Sequence, residues 1–254
     1  MADALEAKIR ALSEAEARER RFTADVAHEF RTPLTALVGK ASLLARHLDR
    51  MPAAARRPAE LLVADVGRLR RLVDELMEIS RLDAGSEAVR PEPLELRSLL
   101  EQVTRGRAGV TGDEVRLESD PRRLERIVEN LVANAVEHGG PHVRVDVTLV
   151  GDAALVGVED DGAGIAPEHL PHVFERFYKA DPARGGSGSG LELAIARENA
   201  RLLGGDIRVE SEPGRGARFT LRLPVTQPLR DGDGDGSVAR PDDHGTGIHQ
   251  EVRP

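Results

Sequence analysis

The chain has no cysteine among its 254 residues. That excludes a disulfide framework and any thiolate metal site, and it fits a reducing compartment. No apolar run approaches the roughly 20 residues that a membrane-spanning helix needs, and the first residues are charged rather than signal-like. Positive charge is not in excess either. The formal net charge is -8, whereas nucleic acid calls for a basic face, so no nucleic-acid partner is expected. No internal repeat is visible. As given, the chain is expected to be soluble and cytoplasmic, with length for one or two domains that each bury a core.

What is present begins with a helical half. Residues 1 to 21 are rich in Ala, Glu and Arg without Gly or Pro, and Leu5, Ile9, Leu12, Phe22 and Val26 form a thin apolar seam. Helical spacing continues through Leu34, Leu37, Leu43, Leu44 and Leu48. Residues 49 to 58, bounded by prolines, read as a connection. A second helix is expected over about 59 to 83, with Leu62, Val66, Leu69, Leu72, Val73, Leu76, Ile79 and Leu82 on one stripe and Gly85 as its cap. Two one-sided helices cannot bury their stripes alone, which predicts a homodimer built as a four-helix bundle.

Composition shifts at residues 89 to 93, where Pro91 and Pro93 suggest a stiff linker. Beyond it, helices are expected at 96 to 104, 121 to 138 and from Gly190 to about Leu203. Strands are expected at 143 to 150, 154 to 160, 206 to 211 and 217 to 223. The fold class is α+β, a dimeric helical hairpin followed by a two-layer sandwich of helices on mostly antiparallel strands. Four regions follow: a signalling helix at 1–21, a helical domain at 22–88, a sandwich at 89–225 and a disordered acidic tail at 226–254. Within that tail Asp231, Asp233 and Asp235 have the spacing of a calcium loop, but no flanking helix is evident and Pro241 intrudes. An acidic solvated tail is the better reading.

Chemistry concentrates first between residues 22 and 35, Phe-Thr-Ala-Asp-Val-Ala-His-Glu-Phe-Arg-Thr-Pro-Leu-Thr. At neutral pH much of the His28 imidazole is unprotonated and nucleophilic. Glu29 can orient the ring or take its proton. Pro33 cannot donate to the Glu29 carbonyl, so the helix should loosen one turn later.

Three further segments suit a nucleotide. Asn130 and Asn134 lie four apart, so a helix turns both amides to one side, and amide oxygens suit Mg2+. At Val158-Glu-Asp160-Asp-Gly162-Ala-Gly164 a strand ends in a carboxylate followed by a glycine turn. Such a carboxylate accepts from an exocyclic amino group, which favours adenine over guanine. Gly185-Gly-Ser-Gly188-Ser-Gly190-Leu runs into a helix, and free amides at a helix start make an anion cradle. It is not a Walker A motif, because the Gly-Lys-Ser/Thr ending is missing.

In this order the segments resemble the sensor histidine kinases of two-component systems. Residues 22 to 35 are similar to that family's phospho-acceptor box. Residues 120 to 139 resemble its Asn box, 158 to 165 its first glycine box, 174 to 178 its Phe box and 185 to 195 its second glycine box. The resemblance implies a dimerisation and phosphotransfer domain followed by an ATP-binding domain of the gyrase and Hsp90 kind. It makes His28 the phospho-acceptor and Glu29 its base. Asn134 becomes the metal ligand for Mg2+ with Asn130 assisting, Asp160 the adenine reader, and Gly162, Gly164, Gly188 and Gly190 the backbone around ATP. It implies transfer to an Asp of a response regulator receiver domain, and a phosphatase activity in which Thr32 positions water. The start of the chain resembles the last helix of a HAMP module, which implies that a missing N-terminal region anchors the parent receptor in the bacterial cell membrane.

This sequence departs from the family pattern at several places. Glu192 replaces the final glycine of the second glycine box, where a carboxylate complements the helix dipole but would repel a triphosphate if it faced the pocket. Glu137 stands where Lys or Arg is frequent, and Asp161 replaces a common Asn. The stretch from 105 to 119 is short, so a strand there is expected to be clipped. These acidic changes motivate the alternative of a degenerate dimeric kinase that binds its regulator with weak ATP turnover. A gyrase- or chaperone-like ATPase would leave the whole first box unexplained.

Overall fold

The computed structural model describes residues 30, 32–84, 88–140, 142–180 and 188–225. His28 and Glu29, the signalling helix at 1–21, the Gly85 cap and the tail at 226–254 lie outside the described residues. Helix α1 covers 32–45 and is followed by a 3-10 turn at Leu48–Arg50 and by α2, Ala53–Asp83. The second helix thus starts six residues earlier than its apolar stripe suggests. Ala53 to Arg57 are strong helix formers, Pro52 caps the start, and Pro58, in the second turn, forgoes one helical bond, to the Ala54 carbonyl. The Arg56 guanidinium reinforces the bend by donating to the carbonyls of Leu48 and Asp49 at 3.0 and 2.9 Å.

After α2 come β1 (Glu92–Glu95), α3 (Leu96–Thr104), β2 (Gly109–Gly112), β3 (Arg116–Ser119), α4 (Pro121–His138), β4 (Val143–Val150) and β5 (Ala153–Asp160). Then α5 (Glu192–Leu202), β6 (Asp206–Ser211) and β7 (Ala217–Pro224) complete the chain. The main sheet has the order β2-β4-β5-β7-β6, antiparallel except for the β2–β4 pair. A separate ribbon pairs β1 with β3. Two expectations need correction here. The proline-rich stretch at 89–93 is not wholly linker, because Pro93 belongs to β1, on a two-stranded ribbon where a missing N–H is tolerated. The stretch from 105 to 119 is short but not clipped, since it supplies both β2 and β3.

Helices and sheet form two layers around one core. Leu124, Ile127, Val128 and Leu131 of α4 face Val145, Val156, Val158, Phe219 and Leu221 of the sheet, all fully buried. The helical periodicity of one layer meets the alternating inward positions of the other. A second, smaller cluster joins α2 to this unit: Ile79 and Leu82 pack on Leu191 and Ile195. Higher along the hairpin the apolar stripe stays open. Leu37, Leu43, Leu62 and Leu69 are each more than two-fifths exposed.

Candidate nucleotide-binding site

The asparagines ride on a firmly started helix. Asp120 caps α4 by accepting from the amides of Arg122 and Arg123, and Pro121 occupies the first turn. The Arg90 amide also donates to Asp120, at 3.0 Å. Burial raises the Asp120 carboxyl, but these amides and the Arg122 charge hold it below its ordinary value. One turn from the end of α4, Asn134 is half-buried. Asn130 is 4% exposed and donates from Nδ2 to the Glu192 carbonyl at 2.9 Å. That bond uses one end of the amide to fasten α4 to the start of α5.

Asp160 ends β5 and is 7% exposed. Its Oδ1 accepts from the Gly162 amide at 3.0 Å. Burial pushes its carboxyl up, with Asp161 and Glu159 adding to the rise, against the opposing amides of Gly162 and Ala217. The end of α4 lies against this strand end, because a Cβ on Gly139 would come within 2.5 Å of the Asp160 Cβ. Gly162 is needed for the same approach, its missing Cβ facing the Gly139 Cα at 2.5 Å. Gly164 has φ +71, and a Cβ there would lie 2.1 Å from the Glu212 carbonyl oxygen. Both glycines therefore let backbone meet backbone. Asp161 turns outward to the His142 ring at 2.8 Å, a pairing that holds its carboxyl low.

The second glycine segment closes the site. Gly190 has φ +76, and its carbonyl accepts from the Phe177 amide at 2.8 Å. Phe177 itself takes a positive φ of 62 and is exposed. Phe174, by contrast, is set edge-on against Phe219 with the Arg197 guanidinium 4.8 Å over its ring. The Phe box thus anchors one aromatic in the core and presents another.

The direction of Glu192 answers the question its substitution poses. The side chain folds back on the amides just before its own helix. Oε1 accepts from Ser189 N at 2.8 Å, and Oε2 accepts from Gly190 N at 2.9 Å and Leu191 N at 3.0 Å. Those amides are the cradle that the sequence leads one to expect for phosphate, and here they hold the Glu192 carboxylate. Burial raises the Glu192 carboxyl, yet the amides together bring it below its ordinary value.

Glu75 of α2 lies beside this cradle and escaped the sequence reading. It is 8% exposed, and its Oε2 has no hydrogen-bond partner among the described residues. Burial pushes its carboxyl up; the Ser189 hydroxyl opposes this and the Glu192 charge adds to it. One signal was available, because Glu75, Ile79 and Leu82 are spaced as one face of a helix. Ion pairs fasten the same edge of α2: Arg126 to Glu78 at 2.7 Å and Arg176 to Asp83 at 2.8 Å. Clefts of about 370 and 280 Å3 flank this contact, and neither is lined by Asp160 or by Asn130 and Asn134.

The helix-on-sheet unit has the features of the class described as histidine kinase-, DNA gyrase B-, and HSP90-like ATPase, whose family model matches residues 119–227. The model of the His Kinase A (phospho-acceptor) domain matches residues 18–85. The chain is 39% identical over 251 residues to the signal transduction histidine-protein kinase AfsQ2 of Streptomyces coelicolor, covering 92% of this chain and 47% of that protein. It is 39% identical over 243 residues to the sensor histidine kinase MtrB of Mycobacterium leprae, covering 89% and 43%. Among solved structures, full-length ShkA in complex with AMPPNP superposes with a TM-score of 0.65 at 28% identity, over 81% of this chain and 46% of that one. The chain belongs to the sensor histidine kinases of two-component systems. It spans about half the length of the curated relatives it matches.

Proposed function

We propose that the chain is an ATP-dependent protein histidine kinase that phosphorylates His28 and passes the phosphoryl group to an Asp of a response regulator receiver domain. The observation that carries this reading is the meeting of three elements at one edge of the sandwich. They are the buried Asp160 at the end of β5, the asparagine face of α4 and an amide cradle that already holds a carboxylate. In this reading Asp160 accepts from the adenine amino group, Gly162 and Gly164 shape the turn beside it, and Gly188 and Gly190 bring backbone to the phosphates.

The residues present fit Mg2+ as a partial site. Asn134 with Asn130 would hold it through hard amide oxygens, and no cluster of three His, Asp or Glu competes for a cation among the described residues. When bound, the ion supplies neutralisation of phosphate charge. The remaining work belongs to the chain. A His28 nitrogen attacks the γ-phosphorus in line, a nitrogen–phosphorus bond forms, the bond to the bridging oxygen breaks and ADP departs. Glu29 orients the ring and takes its proton. Thr32, exposed on α1, would position water for dephosphorylation of the regulator. The open apolar stripe of Leu37, Leu43, Leu62 and Leu69 supports a homodimer paired through the helical hairpin. The similarity of the chain's start to a HAMP helix supports a place on the cytoplasmic side of a longer membrane receptor.

Incubation with γ-labelled ATP tests the reading. An acid-labile phosphoprotein is expected from the wild type and none from His28→Gln; label retained by the variant removes His28 from its role. Glu192 favours a second reading, a degenerate dimer that binds a regulator with weak ATP turnover. Regulator binding without any labelled product from the wild type would select it.

A further inference from the structure

We propose that the Glu192 carboxylate is the resident anion of the amide cradle at residues 189 to 191, so that the terminal phosphates of a nucleotide bind only by evicting it. The inference rests on the nucleotide reading above and adds an internal competitor to it. Three amides converge on one carboxylate at 2.8 to 3.0 Å, with both oxygens engaged. A phosphate needs the same donors in the same place, and the two anions cannot share them. Glu192 follows these amides directly in the chain, so its effective concentration at the cradle far exceeds that of a diffusing ligand.

Glu75 sets the charge of the space beside the cradle. A carboxylate oxygen buried without a partner is costly. Among the described residues the Oε2 atom of Glu75 is in that state, beside Ser189 and Glu192. An unmet acceptor of this kind calls for a donor or a cation and repels a further anion. Glu75 also restricts where the evicted carboxylate goes, because movement toward α2 brings two negative charges together. Gly188 lies close against the carboxylate on another side: an added Cβ there would stand 3.1 Å from Glu192 Oε1, tighter than an ordinary contact.

Calorimetric titration of the full chain with Mg-AMPPNP, and separately with adenosine, tests the proposal in wild type, Glu192→Gly and Glu192→Gln. Removing the competitor is expected to tighten AMPPNP binding at least tenfold in Glu192→Gly. Glu192→Gln, which keeps the length of the side chain and guards against a misfolded glycine variant, is expected to tighten it at least threefold. Adenosine affinity is expected to stay the same in all three. Equal or weaker AMPPNP binding in both variants, with adenosine still bound, overturns the proposal and leaves the nucleotide reading standing. Failure of all three proteins to bind either ligand overturns both.

Discussion

Arg126 reaches Oε2 of Glu78 with both Nε, at 2.9 Å, and Nη2, at 2.7 Å, and thereby ties α2 to α4 across the junction of the two parts of the chain. Asn199 adds a longer contact to the other oxygen of Glu78 at 3.5 Å. Burial lowers the Arg126 guanidinium, but the bonds it donates to Glu78 and the charges of Glu78, Glu75 and Glu129 together raise it above its ordinary value. The two partners are not equivalent. Glu75 and Glu129 also lie in the field of Arg126, so its removal leaves several carboxylates facing each other. Arg126→Ala is therefore expected to lower stability by about 2 kcal/mol and Glu78→Ala by about 1 kcal/mol. Urea unfolding of the two variants measures the difference, and equal losses would show the pair to be isolated.

A second prediction concerns pH. Glu75 has its folded carboxyl raised above the ordinary value of 4.5, first by burial. A raised carboxyl contributes its stability below its unfolded value and loses it as pH rises through the folded one. Glu192 is lowered, so its contribution is present above its unfolded value and is lost as pH falls through the folded one. Arg126 partly offsets the charges of Glu75, Glu78 and Glu192 that gather here. Glu75→Gln is expected to unfold at a higher temperature than the wild type at pH 7, with the gain shrinking as the pH approaches 4.5. A gain that is constant with pH would mean that titration of Glu75 plays no part.

Asp160 offers a test of base choice. Replacing its carboxylate with an amide in Asp160→Asn removes a charged acceptor, a loss of about 2 kcal/mol. Binding of Mg-ATP is expected to fall by about thirtyfold. Mg-GTP, which presents a carbonyl where ATP presents an amine, is expected to change little. Parallel titrations with both nucleotides read the outcome, and an equal drop for both would mean general damage to the turn.

The glycines separate into structural and adaptable positions. Gly164→Ala meets both a positive φ and the Glu212 carbonyl, whereas Gly188→Ala meets only the movable carboxylate of Glu192. The first is expected to cost about 3 kcal/mol and the second less than about 1 kcal/mol. Thermal unfolding of the two variants ranks them.

Much of this was open to reading residue by residue. The strands β4, β5, β6 and β7 and the helices α3 and α4 follow from periodicity and capping, because their inward faces are apolar at strict spacing and Asp120 and Pro121 announce the start of α4. The ribbon of β1 with β3 was not legible. Four residues containing a proline carry no pattern, and the pairing between Glu92–Glu95 and Arg116–Ser119 exists only through partners distant in the chain. The early start of α2 was hidden for a related reason, since Pro58 reads as a break until its place in the first turns is known.

The site divides along the same line. The order of the boxes, the types of side chain and the family they resemble are local properties, and local chemistry reads them from the chain alone. Where Glu192 points is decided by which amides the turn at 189–191 leaves free, and that turn is held by Phe177, Asn130 and the seat of Leu191 against Ile79 and Leu82. The contact between Glu75 and this loop spans more than a hundred positions of sequence. No periodicity records such a meeting, because the energy that creates it arises only when α2 and α5 bury their apolar faces together.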